Sequence, residues 1–361
     1  MMNTQENRAE ARRAFLSAAG WADAQARPLA GDASTRSYER LALDGRRALL
    51  MDAPPAAEEA ACPPHASADE RRRLGYNALA RLAGPNLNAF TAIAETLRRA
   101  GLSAPEVYAA DPVHGFAIIE DLGDDLYVRA IPAGADEQTL YETAVDALLQ
   151  LRTANPPAPA TEAYRMLDYD RAALQAEIAL LIEWCWPLKT GGDASSSLQA
   201  DYFASWAPAL EAISAPSSMV LRDYHAENLV WLPDRMGAAR VGLIDFQDGL
   251  FGSPAYDLVS LLKDARRDVA PELAEAMIRR YCAGAGDGFD EESFRRDYAV
   301  LGAQRNAKIL GIFARLFRRD GKSRYLDFLP RVEAHFKNDL RAPALRSVRA
   351  FFARHMPELA P

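Results

Sequence analysis

The sequence predicts an α+β protein in two lobes, a small one built on an antiparallel sheet and a larger, mainly helical one. Three observations carry that expectation. Short apolar segments punctuated by turn residues run from 28 to 52 and recur at 105–120. From residue 137 onward the apolar residues recur at helical spacing instead. Between those helices lies a stretch of short apolar runs and polar loops, Val220 to Leu262, around which the rest is organised.

Taken in order, residues 5–19 are expected to form a helix with Phe15 and Leu16 buried. Pro28 to Leu43 reads as two extended segments about a small-residue turn, Gly31-Asp-Ala-Ser-Thr-Arg36, with Tyr38, Leu41 and Leu43 in the second. Asp44-Gly45 is a hairpin signal, and 46–52 is the third strand. A Pro/Ala loop covers 53–68. Helices are predicted at 69–82 and 88–100, the second with Phe90, Ile93, Ala94 and Leu97 on one face and Gly101 as its stop. Two more strands, 105–110 and 116–120, lead to Glu120-Asp-Leu-Gly-Asp124, the expected connection between a lobe at 1–122 and another at 123–361. Further helices are expected at 137–151, 169–184, 198–213, 256–269, 271–283, 291–318 and 343–356.

A chain of 361 residues suits two lobes. A net charge of −8 argues against a general nucleic-acid binder. Cys62, Cys185 and Cys282 form no CxxC pair and read as reduced thiols. The first residues lack the apolar core of a signal peptide, and no apolar run approaches membrane-spanning length. The expectation is a cytoplasmic protein, monomer or weak homodimer, with neither membrane nor nucleic acid as partner.

The chemistry concentrates in the central stretch. Asp223 stands five residues before Asn228, an apolar run and a turn follow, and Val241-Gly-Leu-Ile-Asp245 ends in a second acid. Phosphoryl transfer needs a carboxylate beside the attacking hydroxyl, plus oxygens that hold Mg²⁺ against the phosphates of ATP. The spacing assigns Asp223 as base and Asn228 and Asp245 as metal ligands, and Mg²⁺ needs few protein oxygens. Two solvated turns and a helix-capping Asp are the bland account. It explains poorly the conjunction with Gly252-Ser-Pro-Ala-Tyr-Asp257 that follows. In the small lobe, backbone N–H groups of Ala33, Ser34 and Thr35 are candidates to cover the nucleotide phosphates, with Arg36 beside them. The phosphate-binding Lys expected near the end of the third strand is replaced by Met51, and Arg36 is the candidate substitute.

These motifs resemble the aminoglycoside phosphotransferase and choline kinase family, small-molecule relatives of protein kinases. The resemblance implies a bilobal protein-kinase-like fold, a hinge at which backbone groups of Glu120 and Leu122 meet the adenine, and a helix begun near Asp257 that braces the catalytic loop. This chain has Leu221 where the family usually has His, and Asp245-Phe-Gln where protein kinases have Asp-Phe-Gly. Gly31 to Tyr38, Arg222 to Pro233, Leu243 to Asp248 and Gln304 to Arg315 resemble one branch in particular, the anomeric cell-wall amino-sugar kinases. That implies an amino-sugar substrate, N-acetylmuramate or N-acetylglucosamine, phosphorylated at its C1 hydroxyl during peptidoglycan recycling. In that branch the third strand also lacks the usual lysine.

His225 is a candidate for a substrate hydroxyl or a loop brace. Arg305 and Lys308, three apart on one helix face, are either surface charges or the receptor for a lactyl carboxylate. Trp184, Trp186 and Trp231 are read first as packing residues. Two alternatives stay open: a kinase for an aminoglycoside, choline or homoserine, and a nucleotide-binding relative without catalysis.

Overall fold

The structure, a computed structural model, describes residues 4–29, 36–55 and 61–361. The candidate phosphate-covering residues Ala33, Ser34 and Thr35 lie outside the described residues. The first helix is α1 (Thr4–Ala18), and the strands β1 (Gln25–Pro28), β2 (Ser37–Leu43) and β3 (Arg46–Asp52) follow. Asp44 and Gly45, both at positive φ, make the tight turn between β2 and β3. Next come α2 (Ala68–Leu74), α3 (Tyr76–Leu79), α4 (Leu87–Arg99), β4 (Val107–Asp111) and β5 (Phe116–Ile119). These strands form one five-stranded antiparallel sheet in the order β1-β2-β3-β5-β4.

Strand alternation decides what each face of the sheet meets. Leu41, Ala48, Leu50, Phe116 and Ile118 join Phe15, Leu16 and Trp21 under α1. Met51, Ala117 and Ile119 face the other way, onto Leu87, Phe90, Ile93 and Leu97 of α4. Met51 therefore fills the inner core, paired across the sheet with Ala117, at the position where the motif calls for lysine.

The remainder is mostly helical: α5 (Tyr127–Ala130), α6 (Glu137–Ala154), α7 (Arg171–Leu180), a π-helical turn at Leu181–Cys185, α8 (Trp186–Thr190) and α9 (Ser196–Glu211). Two short hairpin-like pairs follow, β6 (Ser218–Val220) with β9 (Leu250–Gly252) and β7 (Leu229–Trp231) with β8 (Val241–Leu243). They carry the central stretch. After them lie α10 (Ala255–Leu262), α11 (Pro271–Gly284), α12 (Glu291–Arg318), α13 (Leu329–Asp339) and α14 (Arg346–His355). No helix among the described residues is long and apolar enough to cross a membrane.

Several boundaries differ from the sequence expectation. The helix expected at 69–82 breaks at Gly75, whose φ of 94 no helix tolerates. The one expected at 256–269 stops at Leu262, where Lys263 turns inward to pair with Asp339. Helix α13 was not foreseen. Its apolar side, Leu329, Val332 and Phe336, does recur at helical spacing, so a signal was present in the sequence.

Arg40 of β2 ties the sheet to the segment leaving it. Its guanidinium meets Asp121 at 2.6 Å and Asp124 at 3.0 Å, and Asp121 in turn accepts from the Gly123 N–H. Arg40 and Asp121 are almost wholly buried, so removing the cation leaves Asp121 only the exposed Arg47 at 3.5 Å. Arg40→Met should lower stability by about 3 kcal/mol, measured as a shift in the denaturant midpoint of the variant against the parent.

Candidate active site

The loop between β6 and β7 holds Asp223, His225 and Asn228, and the loop after β8 holds Asp245. Two residues in these loops, Arg222 and Asp245, have left-handed backbones with φ of 67 and 58. Such conformations cost a non-glycine residue energy and persist only where neighbours enforce them. For Arg222 the enforcement is visible. Asp257, in the first turn of α10, accepts the N–H of Leu221 at 2.7 Å and of Arg222 at 2.9 Å. Burial pushes the Asp257 carboxyl up to about 7 although both N–H bonds pull it down. The brace implied for Asp257 is thus present.

The Arg222 side chain runs beneath the loop. Its guanidinium donates to Ala80 O at 3.2 Å, stacks over Tyr169 and pairs with Glu177. Glu177 has no solvent exposure and also takes Lys308 at 2.9 Å, the Tyr169 hydroxyl and the Gln304 amide at 2.8 Å. Burial alone would raise its carboxyl. Lys308 and Arg222 outweigh that, and hold it at about 2. Glu177 was missed from the sequence, but a signal existed: it falls between Leu174, Ile178 and Leu181 on the apolar face of its helix. An acid there is buried and needs partners.

Helix α12 reaches this network because it lies unusually close to α7. A Cβ on Gly311 would overlap the backbone of Leu180. Gln304, Lys308 and Gly311 share one face of α12, so the close approach at Gly311 presses the other two onto Glu177.

The three predicted chemical residues do converge. Asn228 Nδ2 donates to Asp223 O at 3.0 Å and lies 3.3 Å from Asp245 Oδ2. The Asn228 amide is thereby oriented, its Nδ2 directed at these two oxygens. Gln247 Nε2 donates to Asp245 Oδ1 at 2.8 Å. The Asp223 side chain is 37% exposed and opens to the cleft. Its dense surroundings push it up, but the charges of Lys308 and Arg305 prevail and hold it below the usual carboxylate range. Asp245 goes the other way: the protein packed around it and the charge of Asp223 push it up, with Arg36 only partly opposing. An amide beside an acid that is destabilised as an anion could hold a divalent cation that takes its remaining ligands from phosphates and water. Among the described residues no three His, Cys, Asp or Glu gather into a metal cage of their own.

The small lobe grips this region through the segment after α3. Ala83 N donates to the Asp248 carboxylate at 2.6 Å, Gly84 O accepts from Arg36 at 2.9 Å, and Arg81 holds both oxygens of Asp170. Arg36 also comes within 3.9 Å of Asp245 Oδ1.

Other predicted residues sit differently. Lys308 and Arg305 are buried, and the surface-charge reading is overturned. His225 is buried, its Nδ1 has no hydrogen-bond partner, and burial lowers its imidazole to about 4. Glu120 N–H donates to Glu106 O at 2.8 Å, which leaves its carbonyl for a ligand, while its carboxylate pairs with Arg235 at 2.5 Å. Leu122 is buried against the Gly242 position of β8. Trp231 meets Tyr127 edge-on and carries Arg240 over its ring, so packing describes it.

A model of the phosphotransferase enzyme family matches residues 25–295. The chain is 47% identical to the N-acetylmuramate/N-acetylglucosamine kinase of Caulobacter vibrioides, over 99% of each. It is 32% identical to the protein of the same description from Pseudomonas aeruginosa, over 93% of this chain and 91% of that one. Among solved structures, the choline kinase LicA of Streptococcus pneumoniae covers 94% of this chain and 99% of its own, with a TM-score of 0.57 at 13% identity. A streptomycin–ATP complex of an aminoglycoside phosphotransferase covers 91% and 99%, with a TM-score of 0.52 at 13% identity. The fold is the kinase-like one that these structures share.

Glu177 makes the buried network testable by pH. Its carboxyl titrates near 4.5 in an unfolded chain and near 2 here, so its stabilisation is complete above about pH 4.5 and lost as pH falls towards 2. Glu177→Gln should flatten that limb of the acid-unfolding curve. At neutral pH it should cost about 3–5 kcal/mol, because two buried cations lose their anion. Circular dichroism against pH and denaturant reads both effects.

Proposed function

We infer that this chain, which belongs to the phosphotransferase enzyme family, is a kinase that uses ATP to phosphorylate the anomeric C1 hydroxyl of N-acetylmuramate and N-acetylglucosamine in cell-wall recycling. The observation that carries the reading is the convergence of Asp223, Asn228 and Asp245 in one cleft, in a chain matched end to end by a relative named for those two sugars.

In this reading Asp223 orients the sugar hydroxyl and receives its proton as the phosphoryl group is attacked. It is suited to that task because nearby cations keep it ionised while its tip faces the cleft. Asn228 Oδ1 and the Asp245 carboxylate would hold Mg²⁺, which when bound neutralises charge on the β- and γ-phosphates. Arg36 supplies the small lobe's cation in place of a third-strand lysine, next to the N–H groups of Ala33, Ser34 and Thr35. The carbonyl of Glu120 and the N–H of Leu122 meet the adenine edge at the boundary between a nucleotide lobe, 1–122, and a catalytic lobe, 123–361. His225, neutral and with Nδ1 unpaired, is placed to meet a sugar oxygen. Such a reaction on small soluble metabolites belongs to the cytoplasm and asks for no nucleic-acid or membrane partner; one chain, or a weak pair, contains every residue named.

Phosphorus NMR of products from N-acetylmuramate, N-acetylglucosamine and an aminoglycoside, each with Mg-ATP, should show a sugar 1-phosphate from the first two only. Product from the aminoglycoside alone would move the chain to the antibiotic kinases. Asp223→Asn should lower kcat by about 10²–10⁴-fold while Mg-ATP still raises the melting temperature. Asp245→Ala should abolish that Mg-dependent thermal shift, because it removes a ligand of the cation and leaves the base in place.

A further inference from the structure

Arg305 of α12 is 6% exposed, too enclosed to present its guanidinium broadly to a ligand. Its Nη2 donates to Ser260 Oγ at 2.7 Å and lies 3.9 Å from Asp223 Oδ1. The other cations of this region are committed elsewhere. Lys308 is held by Glu177 at 2.9 Å, and Arg222 by Glu177 and the carbonyl of Ala80. Arg305 alone pairs a neutral hydroxyl on one side with the catalytic carboxylate on the other, and its Nε has no partner.

Ser260 is wholly buried and lies three residues after Asp257 on α10, on the same helical face. That face serves the catalytic loop twice. Asp257 takes the backbone N–H groups of Leu221 and Arg222, and Ser260 holds the cation that stands beside the side chain of the next residue.

We propose that Ser260 and Arg305 are a positioning pair that sets the orientation of the Asp223 carboxylate, and that Arg305 is not a receptor for an acidic substituent of the sugar. The inference rests on the kinase reading above. A carboxylate whose tip opens to a cleft turns freely about two bonds, yet a base must present one oxygen to the acceptor. A cation fixed on the Oδ1 side keeps that oxygen inward and leaves Oδ2 for the hydroxyl. Ser260 prevents the guanidinium from swinging away, since its Oγ accepts from the same nitrogen that faces Asp223.

The test compares Ser260→Ala, Arg305→Met and Arg305→Lys with the parent, on the acidic and the neutral sugar. A retained Mg-ATP thermal shift certifies the fold of each variant. Positioning predicts that kcat falls about fivefold in Ser260→Ala and about 100-fold in Arg305→Met. KM for ATP and sugar should stay within about twofold, with equal factors for the two sugars, and Arg305→Lys should recover part of the loss. Three results overturn the proposal: a loss confined to N-acetylmuramate, a raised KM at unchanged kcat, or a Ser260→Ala protein indistinguishable from the parent. Should Arg305→Met not fold, Ser260→Ala decides alone. A parent that phosphorylates neither sugar refutes the substrate reading instead, and the same comparison of kcat and KM is then made on the alcohol that it does turn over.

Discussion

The carboxylate of Glu177, out of reach of water, is shared by Arg222, Lys308, Tyr169 and Gln304. Ionised groups enter a protein interior only when their charge and hydrogen-bonding capacity are met there. Here the Glu177 carboxylate is met by two cations, a hydroxyl and an amide drawn from distant pieces of chain: α7, α12 and the residue immediately before Asp223. Because Arg222 is anchored by its side chain as well as by Asp257, the left-handed turn at φ of 67 becomes the favoured conformation at that point. The aim of Asp223 into the cleft is inherited from it. A network of this kind has little slack, since each member that leaves strands another in low dielectric.

The nucleotide end of the cleft is organised by a different device. Arg40 clamps the sheet to the acids of the interlobe connection, and the segment from Ala80 to Gly84 reaches across to Arg222, Asp170, Asp248 and Arg36. Arg36 is thus bound on one side to the small lobe's own backbone and directed on the other at Asp245. A lysine on β3 would grow out of a rigid strand. Met51 gives that place to the apolar core, and the small-lobe cation near Asp245 is Arg36.

Local spacing revealed much of this. The Asp-Asn pair and the strand-ending Asp lie within one short stretch, so their proximity in the fold was readable before any coordinates. The β2–β3 hairpin announced itself through Asp44-Gly45. What escaped depends on contacts between residues remote in sequence. Nothing local marks Ser260 as a partner of Arg305, 45 residues away. The roles of Arg305 and Lys308 were framed as surface or substrate because a helical face shows periodicity but not what packs against it. Helix α10 ran short of its expected end for the same reason, its last turn yielding to the ion pair between Lys263 and Asp339.

Gly311 contributes no functional group, yet it fixes how near α12 comes to α7. Any larger residue there acts as a shim, prising Gln304 and Lys308 away from the acid that they share. The electrical balance around Glu177 is therefore set mechanically, by a residue that carries no charge of its own. That balance can shift through steric bulk at this spacer alone, with every charged side chain of the network left unaltered.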